Sequence, residues 1–421
     1  MKSRNPRGAR GSLNLQSSLP RQKSSRYTNK MTKPLLFDRA LQKIEVLFRY
    51  AGMNLNNKSH RQTDIIRLRC MFIFNFVWVL IGMINLVFYI KVGMVDGINF
   101  IELASLAPCY IHAILAKIKS IFHMVHEEDV KQLITLLRDL EIRENSKEKC
   151  VEREEIINKE TGFLNTVLNA LYVLNGSMII VFDMIPLVLI AVKYYRTNEF
   201  EMMLPYFDTF SILPYEVKYW LFGYIHQIWS ECIALLEVGA ADYLLFTCCT
   251  YIRVQFRLLQ YDIQRIASNK GVSKVSTNVC TEKELKEQLA ELIQWHQNLI
   301  HASNIVEVVY SKSTLFNFVT SSLLICLTSF IFTIVKDIGL IITFVTFFFM
   351  NLLQVFFICF FADMLMNASM EISNAVYNSG WYAVSPDISR QLLLVLMRSQ
   401  KASRLTAAGF ADVNQRAFMR V

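Results

Sequence analysis

Charged residues are scarce in this chain, and so are glycine and proline. Of its 421 residues, 19% are charged, 53% are hydrophobic, 14 are glycine and 8 are proline. A soluble protein carries about a quarter charged residues, so this apolar excess excludes an ordinary water-exposed globular protein and indicates lipid surroundings. The sequence also lacks a recurring alternation of apolar and polar residues, which excludes a membrane barrel. We therefore predict an all-α polytopic membrane protein, because a helix satisfies its own backbone hydrogen bonds in lipid.

Sequence motifs of enzymes and metal sites are missing as well. The nine cysteines include one adjacent pair, Cys248 and Cys249, and none has metal-ligand spacing. His123 and His126 have no third ligand nearby in the sequence, whereas a zinc site needs three or four ligands. No nucleotide-binding glycine loop, nucleophile elbow or HExxH zinc motif occurs. These absences predict that the protein is not an enzyme and has no cofactor and no metal.

Long apolar segments are what the chain does contain. About 20 helical residues, at 1.5 Å each, cross the roughly 30 Å hydrocarbon layer of a bilayer. Residues 119–163 and 251–313 are charged but keep helical apolar periodicity, so we predict helices that continue beyond the membrane. The predicted spans are residues 70–90, 100–118, 164–192, 219–250, 315–335 and 338–364.

The distribution of lysine and arginine predicts the orientation. Of the 44 basic residues, 37 lie in the segments 1–69, 117–163, 251–313 and 365–412, and seven lie on the opposite side of the predicted spans. Basic residues accumulate on the cytosolic side of membrane proteins, so we predict a cytosolic amino terminus. The net charge of +9 then reflects topology, and nucleic-acid binding is not predicted.

Polar residues inside the predicted spans are candidates for function. Burying them in lipid is unfavourable, so they normally face a cavity or a neighbouring helix. Contacts between helices explain most of them. Asp183 and Gln227 lie in the outer halves of their spans, where they are candidates for the lining of a water-accessible ligand pocket.

The carboxyl-terminal region contains a set of short motifs at characteristic spacing. They are Ile-Ser-Asn-Ala-Val-Tyr at 372–377, Gly-Trp-Tyr at 380–382, Leu-Met-Arg-Ser-Gln-Lys at 396–401 and Leu-Thr-Ala-Ala-Gly-Phe at 405–410. With these motifs the chain resembles the insect odorant receptors. The resemblance covers about residues 34–421 and is strongest after residue 240.

The resemblance implies a fold and a function. It implies a seven-helix membrane bundle that forms a ligand-gated cation channel. Variable odorant-binding subunits assemble with a shared olfactory co-receptor into heterotetramers. Such receptors lie in the plasma membrane of olfactory sensory neurons and bind a small, volatile, apolar odorant in the outer half of the bundle.

The resemblance also implies candidate residues. A short helix is predicted to begin after Ser385, with Pro386 in its first turn. The cytosolic helix ends and this short helix would form the anchor between subunits, represented by His296, Trp381, Leu392 and Leu396. The ligand pocket maps to Ser105, Cys109, Met184, Leu187, Phe222, Gln227, Phe344 and Phe348.

Four parts of the chain are expected. Residues 1–33 form a disordered basic extension, and residues 34–364 hold six transmembrane helices with cytosolic extensions. Residues 365–410 form the cytosolic anchor segment, and residues 411–421 begin the seventh transmembrane helix. Since a helix over 414–421 spans about 12 Å, this last helix is expected to be truncated.

Two alternative functions are considered. A gustatory receptor of the same superfamily would share the fold, and the Arg-Ser-Gln-Lys segment at 398–401 favours an odorant receptor over it. A G-protein-coupled receptor would need an extracellular amino terminus and Asp-Arg-Tyr and Asn-Pro-x-x-Tyr motifs, which the sequence lacks.

Overall fold

The computed structural model confirms the all-helical prediction. It describes residues 35–55, 62–96, 100–147, 150–198, 204–205, 217–272, 282–334 and 338–420. The predicted extension over 1–33 and the predicted turn over 335–337 lie outside the described residues. The helices are α1 (Leu36–Tyr50), α2 (Gln62–Asp96), α3 (Phe100–Val125), α4 (Glu127–Asn145), α5 (Val151–Thr197), α6 (Val217–Val272), α7 (Glu282–Ile334), α8 (Ile338–Tyr377), α9 (Pro386–Ser399) and α10 (Gln415–Phe418).

Five of the described helices are long and apolar enough to cross a membrane. These are α2, α5, α6, α7 and α8, and each contains one predicted span. The predicted second span lies in α3, whose 26 residues reach about 39 Å. α3 carries Lys117 and Lys119, and both lysines are paired inside the protein.

The sixth helix is the centre of the bundle. In its most apolar stretch 83% of the residues are buried in protein, against 17% to 28% in the corresponding stretches of α2, α5, α7 and α8. α6 packs against all of these helices and against α1 and α3. The four outer helices therefore direct most of their apolar surface away from the protein, as helices in lipid do.

The short helix α1 is held against the bundle by its apolar face. Phe37, Ile44 and Phe48 are fully buried. The Phe37 ring lies 4.9 Å from the ring of Tyr251 on α6, edge to face. At its amino end, the Glu141 carboxylate on α4 accepts hydrogen bonds from the backbone N–H of Leu36 at 2.6 Å and of Phe37 at 3.1 Å. These bonds satisfy two of the four N–H groups that the first helical turn leaves open.

The predicted short helix before the last segment is present as α9. Pro386 opens it, and Ile388 and Leu392 are buried on its inner face. Ser385 stands at the N-cap position as predicted, but its side chain makes no capping hydrogen bond. A single-turn 3₁₀ helix, Trp381–Ala383, joins α8 to α9.

The segment after α9 forms a small hairpin fixed to α7. Strands β1 (Thr406–Ala407) and β2 (Ala411–Asp412) are antiparallel, with Thr406 opposite Asp412. The backbone N–H of Thr406 donates to the Glu307 carboxylate at 2.7 Å, and Ser311 Oγ donates to the Thr406 carbonyl at 2.9 Å. After the hairpin, the Asn414 side chain caps α10 by accepting from the Ala417 N–H at 2.9 Å.

Candidate ligand-binding site

A partly open cavity lies among five helices, towards the end of the bundle where α5 ends and α6 begins. Residues of α2, α3, α5, α6 and α8 line it, and its empty volume is about 740 Å³ when the space open to solvent is included. Binding sites for small molecules commonly lie between the helices of a bundle. The position of the cavity therefore makes it the candidate ligand site.

The cavity wall is mainly apolar. Its apolar lining residues include Met83 on α2, Met178 and Phe182 on α5, Leu235 on α6 and Phe347 on α8. Methionine and phenylalanine side chains bind by dispersion and adapt to irregular shapes. Such a wall favours an apolar ligand recognised mainly by its shape.

A few polar side chains interrupt this wall. They are contributed mostly by α3 and α6 and include Cys109, His112, Gln227 and Glu231. In pockets for small molecules, polar groups of this kind fix the orientation of a ligand that apolar surfaces hold. The cavity thus combines a large apolar surface with a small number of orienting groups.

One polar side of the cavity is fixed by reciprocal contacts between α2 and α6. Trp78 Nε1 donates to the His226 carbonyl at 3.2 Å, and His226 Nε2 lies 3.0 Å from the Trp78 carbonyl oxygen. The two rings stack with centroids 5.1 Å apart. This arrangement holds His226 at the cavity wall and limits its movement.

A second cavity adjoins the first, deeper in the bundle. Its empty volume is about 630 Å³, and it shares His112, Met178, Leu235 and Phe347 with the first cavity. At its far end Gln354 Nε2 donates to Asp242 Oδ2 at 2.8 Å. The two cavities thus share part of their walls, and the second reaches a layer of buried charge.

That layer contains two ion pairs between α3 and α6. Lys117 Nζ lies 2.6 Å from Glu237 Oε1, and Lys119 Nζ lies 2.6 Å from Asp242 Oδ1. All four side chains are buried. Unpaired buried charges are strongly unfavourable, so each partner keeps the other in place.

The residues predicted for the pocket divide between the cavity and its surroundings. Cys109 and Gln227 line the first cavity. Leu187 is half-buried on α5, and Met184 is 47% exposed. The side chain of Ser105 lies outside the described residues.

The remaining predicted aromatic residues lie close to the cavity without lining it. Phe344 is buried on α8, and Phe348 pairs edge to face with Phe332 on α7, with centroids 5.8 Å apart. Phe222 is 44% exposed, and its ring lies 6.3 Å from that of Trp78. The ligand-binding roles of all eight residues stay predictions.

Sequence reasoning missed four important lining residues. Phe347 lies directly before the predicted Phe348 on α8, while Phe182 and Met178 lie two and six residues before the predicted Met184 on α5. The resemblance pointed to α3, α5, α6 and α8 but not to α2, and the helical pattern does not tell which turn of a helix meets the cavity. His112 could have been identified from the sequence, because a histidine inside an apolar span is unfavourable unless it faces a cavity or a polar partner.

Asp183, the other polar residue singled out from the sequence, is buried beside the cavity. Its backbone carbonyl accepts a hydrogen bond from the Tyr224 hydroxyl on α6. It is not among the described residues that line the first cavity. Asp183 therefore contributes to the contact between α5 and α6.

The predicted anchor residues lie together at the opposite end of the bundle. Leu392 is buried, and Trp381 and Leu396 pack against the same apolar core. His296 on α7 is buried 6.3 Å from the Phe256 ring on α6. All four stabilise the fold of this chain, and their contribution to subunit contacts stays a prediction.

No metal site is found within the described ranges. No group of three or more histidine, cysteine, aspartate or glutamate side chains converges there. The arrangement described so far belongs to a polytopic helical membrane protein with an internal cavity for a small ligand.

Comparisons with known proteins give the family. The model of the family described as 7tm odorant receptor matches residues 99–421, and the chain belongs to this family. Odorant receptor 67c of Drosophila melanogaster is 27% identical over 396 residues, which cover 90% of this chain and 92% of that protein. The function is therefore that of an odorant receptor, and the family is not one of enzymes.

Solved structures share the fold. The insect olfactory receptor OR5 from Machilis hrabei matches with a TM-score of 0.71 and 16% identity, covering 91% of this chain and 94% of that chain. The same receptor in complex with eugenol matches with a TM-score of 0.71 and 15% identity. The chain thus has the seven-transmembrane fold of insect olfactory receptors.

Proposed function

We propose that this chain is the odorant-binding subunit of a ligand-gated cation channel and that it works together with the olfactory co-receptor. The first cavity is the proposed odorant site. The observation that carries this proposal is the partly open, mainly apolar space among α2, α3, α5, α6 and α8. A volatile odorant has few polar groups, so dispersion and burial of apolar surface must supply most of its affinity.

The eugenol complex of OR5 supports a small organic ligand. Eugenol was bound in that receptor, whose fold this chain shares. The described cavity lies between the helices of the bundle and has a mainly apolar wall, as binding sites for such molecules commonly do. The individual odorant of this chain depends on the side chains that line its own cavity.

An exposed apolar surface supports assembly with another subunit. Leu394 and Met397 on α9 are 65% and 66% exposed, and Tyr382 next to α9 is 79% exposed. They lie beside the predicted anchor residues Leu392, which is buried, and Leu396, which is half-buried. Large exposed apolar side chains that lie together mark surfaces for protein contacts. The proposed partner for this surface is the co-receptor, in a heterotetramer.

The proposed orientation places the amino terminus and the anchor in the cytosol. It rests on the 37 basic residues that lie on one side of the spans. The proposed location is the plasma membrane of olfactory sensory neurons, where the odorant reaches the cavity from outside.

The proposal is tested by recording whole-cell current. Cells expressing the chain together with the co-receptor are exposed to a broad odorant panel, with cells expressing either protein alone as controls. We expect an odorant-dependent cation current only from the pair. The absence of any response by the pair at normal surface amounts of both proteins would contradict the proposal.

A further inference from the structure

His112 occupies the point where the two cavities meet. It lies on α3 and lines both the first and the second cavity. Its ring packs edge to face against Phe347 on α8, with centroids 5.8 Å apart. A ligand bound in either cavity therefore lies close to this imidazole.

The imidazole of His112 has no hydrogen bond within the part of the chain that the structure describes. Both ring nitrogens are shielded from solvent, and neither has a partner there. A neutral imidazole carries one donor and one acceptor nitrogen. Leaving such groups buried and unpaired is unfavourable, so a ligand that pairs with either nitrogen gains affinity.

The rest of the first cavity restricts the charge of that ligand. Among the described lining residues none is lysine or arginine, while the Glu231 side chain lies on the wall. A carboxylate ligand would lie close to the acidic Glu231 and would find no lysine or arginine among the described lining residues, which is unfavourable in a site of low polarity. A neutral ligand avoids this penalty.

We propose that His112 is the hydrogen-bonding and specificity-determining residue of the odorant site. It selects neutral odorants that carry one oxygen-based polar group, a hydroxyl or a carbonyl, on an apolar skeleton. The donor nitrogen serves a carbonyl, and the acceptor nitrogen serves a hydroxyl. This inference rests on the proposed function, since it specifies the ligand of the same cavity.

The test uses odorants that share one skeleton and differ in the polar group. Acetophenone, 1-phenylethanol, 1-phenylethylamine and ethylbenzene form one series, and 2-heptanone, 2-heptanol and heptane form another. Currents are recorded from cells expressing the chain with the co-receptor. We expect half-maximal concentrations for the ketone or alcohol about 10- to 100-fold lower than for the hydrocarbon, the range of one buried hydrogen bond.

Variants of His112 then assign this preference to one side chain. His112→Leu keeps a similar volume and removes both polar nitrogens, so the preference for the oxygenated member should disappear. His112→Asn offers a donor and an acceptor again and should restore part of it. Comparing members of a series within one variant removes differences in surface amount.

Each contrary result has a distinct meaning. Equal responses of the wild type to the hydrocarbon and the oxygenated members would overturn the inference, whether or not the variants fold. So would preference for the amine, an unchanged preference in His112→Leu, or silence to both series with responses to other odorants. Silence of the wild type to every odorant in a broad panel would instead contradict the proposed function.

Discussion

The buried ion pair of Lys119 and Asp242 joins α3 to α6 below the two cavities. The lysine Nζ lies 2.6 Å from Asp242 Oδ1, and both side chains are almost inaccessible to solvent. Gln354 on α8 donates to the other carboxylate oxygen at 2.8 Å. Side chains of three helices thus meet at the Asp242 carboxylate. Because this carboxylate is buried, its charge needs a compensating cation.

We predict that Lys119→Met destabilises the protein by about 3–5 kcal/mol, because Asp242 remains as a buried charge without a cation. The double variant Lys119→Met with Asp242→Asn removes both charges and leaves an oxygen for Gln354, so it should recover most of the loss. Thermal unfolding of the purified receptor in detergent measures both effects. Equal destabilisation by the single and double variants would contradict the explanation that the unpaired charge of Asp242 causes the loss of stability.

Gly52 is a second residue whose identity is fixed by its surroundings. Its φ of +79° lies in the left-handed region, and an added Cβ would lie 2.7 Å from Phe72 Cα and 2.9 Å from the Leu68 carbonyl oxygen on α2. Both values are shorter than normal contacts. Glycine therefore allows the chain after α1 to approach the backbone of α2.

We predict that Gly52→Ala destabilises the protein by more than the roughly 1–2 kcal/mol of left-handed strain alone, because α1 and α2 must also separate. The control is Gly162→Ala on α5, where an added Cβ meets nothing within 4 Å. That change should be neutral or stabilise by about 0.5–1 kcal/mol. Unfolding temperatures that fall equally in both variants would contradict this explanation.

At the level of elements, α1 is attached by its amino end as well as by its apolar face. Glu141 on α4 accepts two backbone hydrogen bonds there. Burial raises the pKa of the Glu141 carboxyl above its ordinary value, since the charged form loses solvation. The backbone N–H groups at the start of α1 therefore need a hydrogen-bond acceptor at position 141 more than they need a negative charge.

Two substitutions at Glu141 should therefore weaken the attachment of α1 to different degrees. Glu141→Ala leaves two N–H groups without an acceptor and should weaken the attachment of α1 by about 1–3 kcal/mol. Glu141→Gln keeps an acceptor oxygen and should cost clearly less. Hydrogen exchange of the α1 backbone amides measures the attachment, and greater exchange in the Gln variant than in the Ala variant would contradict the prediction.

The helices could largely be predicted from the sequence because their signals are local. Each of the six predicted spans corresponds to one observed helix, and the observed bounds Pro386–Ser399 of α9 follow the helix-start signal at Ser385 and Pro386. The capping bond of Ser385 could not be predicted, because it depends on how the neighbouring segment directs the hydroxyl. The central position of α6 was not predicted either, because its apolar composition resembles that of the outer helices.

The cavity was less predictable because it depends on packing between distant segments. Four of the five helices around it were expected from the resemblance, α2 was not, and Cys109 and Gln227 lie in its wall. On α8, however, Phe347 lines the cavity while its neighbour Phe348 contacts α7. Successive helical residues differ by about 100° in direction, so one residue decides which neighbour a side chain meets.

For the whole molecule, the proposed orientation gives a direct prediction. An epitope tag at the amino terminus should be reached by antibody only after the cells are permeabilised, because the basic segments lie in the cytosol. A tag in the segment between α5 and α6 should be reached in intact cells. Labelling of the amino-terminal tag in intact cells would reverse the proposed topology and the entry side of the odorant.

The central claim is that odorants act by occupying the first cavity, and filling that cavity tests it most directly. Ala113 lines the cavity on α3, whereas Ala191 lies exposed on α5 outside it. We predict that Ala113→Phe raises the half-maximal odorant concentration by at least 10-fold or abolishes the current, because the added ring occupies ligand space. Ala191→Phe should respond like the wild type at the same surface amount. A normal odorant response of Ala113→Phe would contradict the assignment of the cavity.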